Sequence, residues 1–147
     1  MKTSLIALVI VGLVAVGLPA THALRYTVHN TAVTFFEAWQ QCLAKGGSLA
    51  SIELAVQNVA VTKEIQKTGV SAAWWISGSD MGLEGSWIWM SRNTPVGYRS
   101  GYINFNDGEP NNKATGGENC LSMSKNGGWN DESCDIRNFY VCEYYSI

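Results

Sequence analysis

Hydrophobic and polar positions change their pattern three times along the chain. Residues 4–18 are a nearly unbroken apolar run. The segment Arg25-Tyr26-Thr27-Val28-His29 alternates and predicts a short edge strand. Thr34-Phe35-Phe36-Glu37 is a capping box, with threonine at N-cap and glutamate three residues later. The helix it opens places Phe36, Trp39 and Leu43 on one face, expected to be the core face, and Gly46-Gly47 stops it. A second helix is predicted from about Glu53 to Lys67, with Ser51 as N-cap and Gly69 just past its end. Ala55, Val56, Val59 and Val61 form its expected apolar face. Gln57, Lys63, Glu64 and Lys67 form a solvated one.

From Ala72 onward the pattern is short strands and turns. Ala73-Trp74-Trp75-Ile76 is dense enough for a buried central strand, and Trp87-Ile88-Trp89-Met90 alternates. Leu121-Ser122-Met123-Ser124 and Tyr140-Val141-Cys142-Glu143 supply two more strands. Two helices followed by several strands predict an α+β domain. Residues 91–117 are irregular and long for a compact domain, which is where function concentrates.

The apolar run changes the expected compartment. A basic Lys2, a short apolar stretch and small residues before Ala23 read as a secretory signal peptide over residues 1–23, leaving a domain over 24–147. The alternative, an uncleaved anchor, needs a longer run than this one. The expected mature product is therefore secreted, extracellular and without a membrane span. Of ten Lys and Arg, loss of Lys2 leaves nine against twelve acidic residues, a net charge of −3. The basic residues form no stripe, which argues against nucleic-acid binding. Four cysteines, Cys42, Cys120, Cys134 and Cys142, imply disulfides in an exported chain, with three connectivities open. A Cys120–Cys134 pair would staple a short loop, leaving Cys42 for Cys142.

The candidate chemistry lies between Glu109 and Asp131. Glu109, Asn111, Glu118, Asn130 and Asp131 carry hard oxygen donors, three carboxylates and two amides. That mixture suits Ca²⁺, which accepts six to eight oxygens in loose geometry. Zinc would want thiolate or imidazole, and Mg²⁺ few carboxylates and several waters.

With these residues in view, the chain resembles the C-type lectin family from about Tyr26 to Tyr144. The carriers are Cys42, Trp75-Ile76-Ser77-Gly78, Glu109-Pro110-Asn111, Glu118-Asn119-Cys120, Trp129-Asn130-Asp131, Cys134 and Phe139-Tyr140-Val141-Cys142-Glu143. The resemblance implies a C-type lectin-like fold of two helices and mixed sheet with long calcium-binding loops. It implies Cys42–Cys142 and Cys120–Cys134 bridges, in the short form of the domain. It implies that the five donors hold a principal Ca²⁺ and also bind two neighbouring sugar hydroxyls. Glu109-Pro110-Asn111 resembles the mannose-type sites, which favour equatorial 3- and 4-hydroxyls, as in mannose, glucose, N-acetylglucosamine and fucose. Residues 112–117 lack the aromatic that galactose-type sites usually carry. Pro110 is expected to follow a cis peptide bond in the ion-bound state, with trans the default without it. An auxiliary ion site would use Asp80, Glu84, Asn112, Glu118 and Asn119. Asn112 and Asn119 stand there where many members have carboxylates, and fewer charges weaken binding.

Two rival readings stand beside this one. A calcium-independent, lectin-like protein-binding module is the first. The second is a glycosidase using Glu109 and Glu118, which would need one carboxyl kept protonated in an apolar pocket. Amides and a cation would keep both ionised, and no nucleophile–histidine pair is present, so no enzyme activity is expected. An isolated domain of this kind resembles soluble invertebrate immune lectins, implying recognition of microbial or cell-surface glycans. Weak single-site sugar binding would call for self-association or a protein partner.

Overall fold

The computed structural model describes residues 24–145, so the expected signal peptide lies outside the described residues. The elements run β1 (Leu24–Val33), α1 (Phe35–Ala44), β2 (Ser48–Leu49), α2 (Ala55–Gln66), β3 (Ala73–Ser79), β4 (Ile88–Trp89), β5 (Thr94–Pro95), β6 (Cys120–Ser124), β7 (Trp129–Glu132) and β8 (Asn138–Tyr145). The strands form one eight-stranded sheet with the path β1-β8-β3-β4-β5. β2 joins at β8, while β6 pairs β3 on one side and β7 on the other. β3 and β8 run parallel, Trp74 facing Phe139 and Trp75 facing Tyr140, and the other ladders are antiparallel. The α+β architecture of two helices and a mixed sheet expected from the sequence is the one found, and both expected disulfides, Cys42–Cys142 and Cys120–Cys134, are formed.

β3 is buried on both faces, which is why its first four residues, Ala73 to Ile76, are continuously apolar instead of alternating. Trp74 and Ile76 join one core with Val61, Ile65, Trp89, Leu121, Met123 and Trp129. Trp75 joins the other, with Phe35, Ala38, Leu49, Tyr140 and the four cysteines.

The first helix forms where expected but turns a different face inward. Glu37 Oε2 accepts from the Thr34 N–H at 3.0 Å, and Thr34 Oγ1 accepts from the Glu37 N–H at 3.4 Å. The buried residues are Phe35, Ala38 and Cys42, whereas Phe36 and Leu43 are 39% and 55% exposed. Both sets share the helical period, displaced by one residue. The bond from Cys42 to Cys142 on β8 selects between them, because it fixes which side of α1 faces the sheet.

The second helix differs in both cap and face. Ser51 is buried and does not cap it, since its Oγ pairs with Ser77 Oγ at 2.7 Å. Gln57 Oε1 instead accepts from the Glu53 and Leu54 N–H groups, at 2.8 and 3.2 Å. The inward residues are Asn58, Val61 and Ile65, and Val56 and Val59 face outward. Asn58 takes a core position because it is fully employed there: Nδ2 donates to the Gly127 carbonyl at 3.0 Å, and Oδ1 accepts from Trp129 Nε1 at 2.9 Å. That pair ties α2 to the turn that starts β7. Among the described residues no helix is long and apolar enough to cross a membrane.

Candidate functional site

The run Trp129-Asn130-Asp131, read from sequence as loop, is strand β7, paired through Leu121↔Asp131 and Ser122↔Asn130. Strand alternation sends Trp129 and Asp131 inward and leaves Asn130 half-buried. Asp131 is wholly buried. Its carboxylate accepts from the Asn111 N–H at 3.0 and 3.1 Å and from the Asn112 N–H at 2.7 Å. An irregular segment is thereby pinned to the sheet by one acid, with a cis Glu109–Pro110 peptide and a positive φ of 51° at Asn112 shaping the turn.

The rest of the loop closes on itself. Asn111 Nδ2 donates to Glu109 Oε1. The Lys113 N–H lies 3.1 Å from Asn111 Oδ1 and 2.8 Å from Glu118 Oε1, and the Glu118 N–H donates to Asn112 Oδ1 at 2.7 Å. Glu109, Asn111, Glu118 and Asp131 thus share one hydrogen-bonded network. Asn130 stands apart from it: its Oδ1 is buried and has no partner among the described residues. Partial burial, reinforced by the neighbouring carboxyls of Asp131 and Glu118, pushes the Glu109 carboxyl up to about 7.

Sequence reasoning missed the support behind this loop. The Asn106 N–H donates to the Trp129 carbonyl and the Trp129 N–H to the Asn104 carbonyl, both at 2.8 Å. Asn104 Nδ2 also donates to the Gly127 carbonyl at 2.7 Å. Asn106 packs so closely that a Cβ on Gly128 would fall 1.7 Å from its Oδ1. Two asparagines opposite a Gly-Gly pair were the available signal.

Of the second candidate set, Asp80, Glu84 and Asn119 come together. Asp80 is buried, and its Oδ2 accepts from the Gly85 N–H at 2.8 Å. The Asn119 amide, turned with its NH₂ inward, lies 3.0 Å from Asp80 Oδ1 and 3.2 Å from Glu84 Oε1. A hydrogen bond with Asp80, then burial, raises the Glu84 carboxyl above its ordinary range. Asn112 and Glu118 bond to each other's loop instead, with no hydrogen bond to this trio.

The model of the family described as the Lectin C-type domain matches residues 31–144. The chain belongs to the C-type lectin domain family. Among curated relatives, this C-type lectin domain is 37% identical to pulmonary surfactant-associated protein D of Bos taurus, over 81% of the chain and 30% of the relative. It is 29% identical to salivary C-type lectin 2 of Aedes albopictus, over 95% of both. Among solved structures, the cow C-type carbohydrate-recognition domain of CD23, determined in the presence of GlcNAc2Man3 oligosaccharide, shares 31% identity at a TM-score of 0.73. That match covers 86% of this chain and 91% of that one. The chain spans less than half the length of the collectins it matches. The family is carbohydrate-binding and non-enzymatic, so the C-type lectin domain here is not an enzyme.

Oxygen is the element this site offers. Among the described residues no three His, Cys, Asp or Glu side chains gather closely enough to hold a metal by themselves. An ion here would draw on the amide oxygens of Asn111 and Asn130 as well as on carboxylates. The partnerless Asn130 Oδ1, and a Glu109 carboxyl that feels the negative charge of Asp131 and Glu118, both fit a hard cation.

Proposed function

We propose that this domain is a secreted, calcium-dependent carbohydrate-binding module with a preference for sugars bearing equatorial 3- and 4-hydroxyls, such as mannose. One observation carries the reading: Glu109, Asn111 and Glu118 share a hydrogen-bonded loop whose backbone buried Asp131 holds, and Asn130 has an enclosed oxygen with no partner. Glu109, Asn111, Glu118, Asn130 and Asp131 would hold the ion. When bound, Ca²⁺ supplies spare coordination positions and positive charge to two vicinal hydroxyl oxygens. The chain's own side chains do the selecting. Carboxylates of Glu109 and Glu118 can only accept hydrogen bonds, while amides of Asn111 and Asn130 can donate. Each acid–amide pair thus fits one hydroxyl as both donor and acceptor. Asp131 acts one step back, holding the Asn111–Asn112 backbone so that these groups stay in place.

The oligosaccharide in the CD23 structure supports the sugar class. The names of the collectin and salivary relatives, with all four cysteines bridged, support export of a 24–147 domain after removal of residues 1–23. Asp80, Glu84 and Asn119, with Asn112 and Glu118, form a weaker auxiliary ion site. Avidity comes from self-association or a partner, and the biological targets are microbial or cell-surface glycans, by family analogy.

The test is retention of the oxidised protein on mannose–agarose. Retention in Ca²⁺ with elution by EDTA is the expected result. Failure to bind in Ca²⁺, or indifference to the chelator, removes the reading, and the second outcome favours the protein-binding alternative.

A further inference from the structure

The loop carrying Glu109 and the strand carrying Asn130 are both tied to one residue, Trp129. Its N–H donates to the Asn104 carbonyl and its carbonyl accepts from the Asn106 N–H, so residues 104–106 run parallel beside β7. The Asn106 carbonyl then accepts from the Glu109 N–H at 2.9 Å. Tyr102 and Phe105 meet the Trp129 indole edge-on, each with ring centroids 5.7 Å from it. Two links therefore run from β7 to the candidate loop. One passes through Asn106 to Glu109, the other through the Asp131 carboxylate to Asn111 and Asn112.

The side chains that fix this arrangement meet at one carbonyl. The Gly127 oxygen accepts from Asn104 Nδ2 at 2.7 Å and from Asn58 Nδ2 at 3.0 Å, which employs both of its lone pairs. Asn58 belongs to α2, and its Oδ1 accepts from Trp129 Nε1. Helix, loop and strand thus converge on a single oxygen atom. Position 127 favours glycine on two counts. Its φ is 90°, and a Cβ there would sit 2.7 Å from Thr62 Oγ1 and 2.9 Å from Asn58 Nδ2. Asn58 is enclosed, and its two bonds serve the core. Asn104 is half-buried, so its side chain can be shortened without opening that core.

We propose that Asn104 is a positioning residue for the ion site, presetting the Glu109–Asn112 backbone before any ion arrives. The inference rests on the calcium reading for its purpose and on the Gly127 junction for its mechanism. A preset loop has less backbone freedom to lose on binding, so the same donors bind more tightly. Groups behind metal ligands that orient them influence affinity in this way. Without its side chain, Asn104 keeps the backbone bond to Trp129 but loses the tie to the Gly127 turn.

The experiment is amide hydrogen exchange by NMR on the oxidised protein in excess EDTA, wild type against Asn104→Ala. Exchange at the Glu109 and Asn111 N–H groups should quicken about fivefold to tenfold, as one lost hydrogen bond warrants. That change should exceed any in the core amides of β3 and β6, which report overall stability. Calcium affinity by calorimetry should fall about tenfold in the same variant. Gln66→Ala is the comparison, since Gln66 Nε2 holds the same turn from outside, donating to the Lys125 carbonyl at 3.3 Å. It should alter neither measurement. Three results overturn the proposal: unchanged loop exchange in Asn104→Ala, equal quickening in loop and core, or the same loop effect in Gln66→Ala. No calcium uptake by wild type overturns the calcium reading and this role with it. Unchanged loop exchange beside normal uptake overturns this role alone.

Discussion

Glu143 on β8 and Asp131 on β7 are both enclosed carboxylates, 2% and 0% exposed, yet the chain satisfies them differently. Glu143 meets the Arg92 guanidinium at 2.5 Å and the Ser51 N–H at 2.9 Å. Asp131 meets only the N–H groups of Asn111 and Asn112, with no Lys or Arg in ion-pair range among the described residues. A buried charge needs compensation. At Glu143 the polypeptide supplies a full positive charge and the structure is complete there. At Asp131 it supplies dipoles, and a demand for positive charge remains that a divalent ion would meet. One acid serves the scaffold, and in the proposed reading the other serves an ion.

The largest effect expected from breaking this contrast is at Asp131. Asp131→Asn should remove calcium-dependent retention on mannose–agarose and lower calcium affinity by about a hundredfold or more, since a ligand charge and the anchor of the loop go together. Isothermal calorimetry with CaCl₂ measures it, and affinity within a few-fold of wild type would sink the assignment. Arg92→Met should act in the opposite sense. It strands Glu143, whose pair is enclosed on the acid side, and should cost about 3 kcal/mol of stability in urea unfolding with EDTA present, while calcium affinity of the folded protein holds.

Acid sharpens the comparison further. Glu109, held up to about 7 without an ion, must give up its proton to bind calcium. Apparent calcium affinity should therefore fall by about tenfold per pH unit for the proton displaced, as pH drops below about 7. Glu143 behaves differently. Burial raises its folded-state pKa even against the pairing with Arg92, so the native state holds that proton more firmly than the unfolded chain. The stability that proton contributes is present at low pH and lost as pH rises through the folded pKa. Calorimetric titrations at several pH values, paired with urea melts in EDTA, should show calcium binding failing before the fold does. Simultaneous loss of both would erase the distinction.

The smallest effect concerns selectivity. Asn111→Asp turns a donor into an acceptor and should weaken mannose binding about fivefold to tenfold in competition assays. Adding Glu109→Gln should move preference toward galactose, incompletely, because residues 112–117 bring no aromatic ring to the loop. A double mutant still preferring mannose tenfold would place selectivity outside these two residues.

Much of this was legible in the sequence because the information was local. The capping box at Thr34 and the dense β3 run each state their role within a few residues. What failed was orientation. Phe36, Trp39 and Leu43 have the same spacing as Phe35, Ala38 and Cys42, so period alone cannot say which stripe faces the sheet. Val56 and Val59 looked like core, but Asn58 took an inward place through hydrogen bonds to Gly127 and Trp129, some seventy residues away. The strand character of Trp129-Asn130-Asp131 was hidden because its ligand-type residues resemble a turn.

The pairing of Leu24 with Tyr145 brings both ends of the domain out side by side, and the Cys42–Cys142 bridge lies a short way inside them. A pull on the two ends would peel β1 from β8 pair by pair and then pass directly across the sulfur–sulfur bond. The mechanical path skips everything from residue 43 to residue 141, the segment from Glu109 to Glu118 included. The bridge, and not the segment carrying Glu109, Asn111 and Glu118, would take up the load once the outer strand had gone.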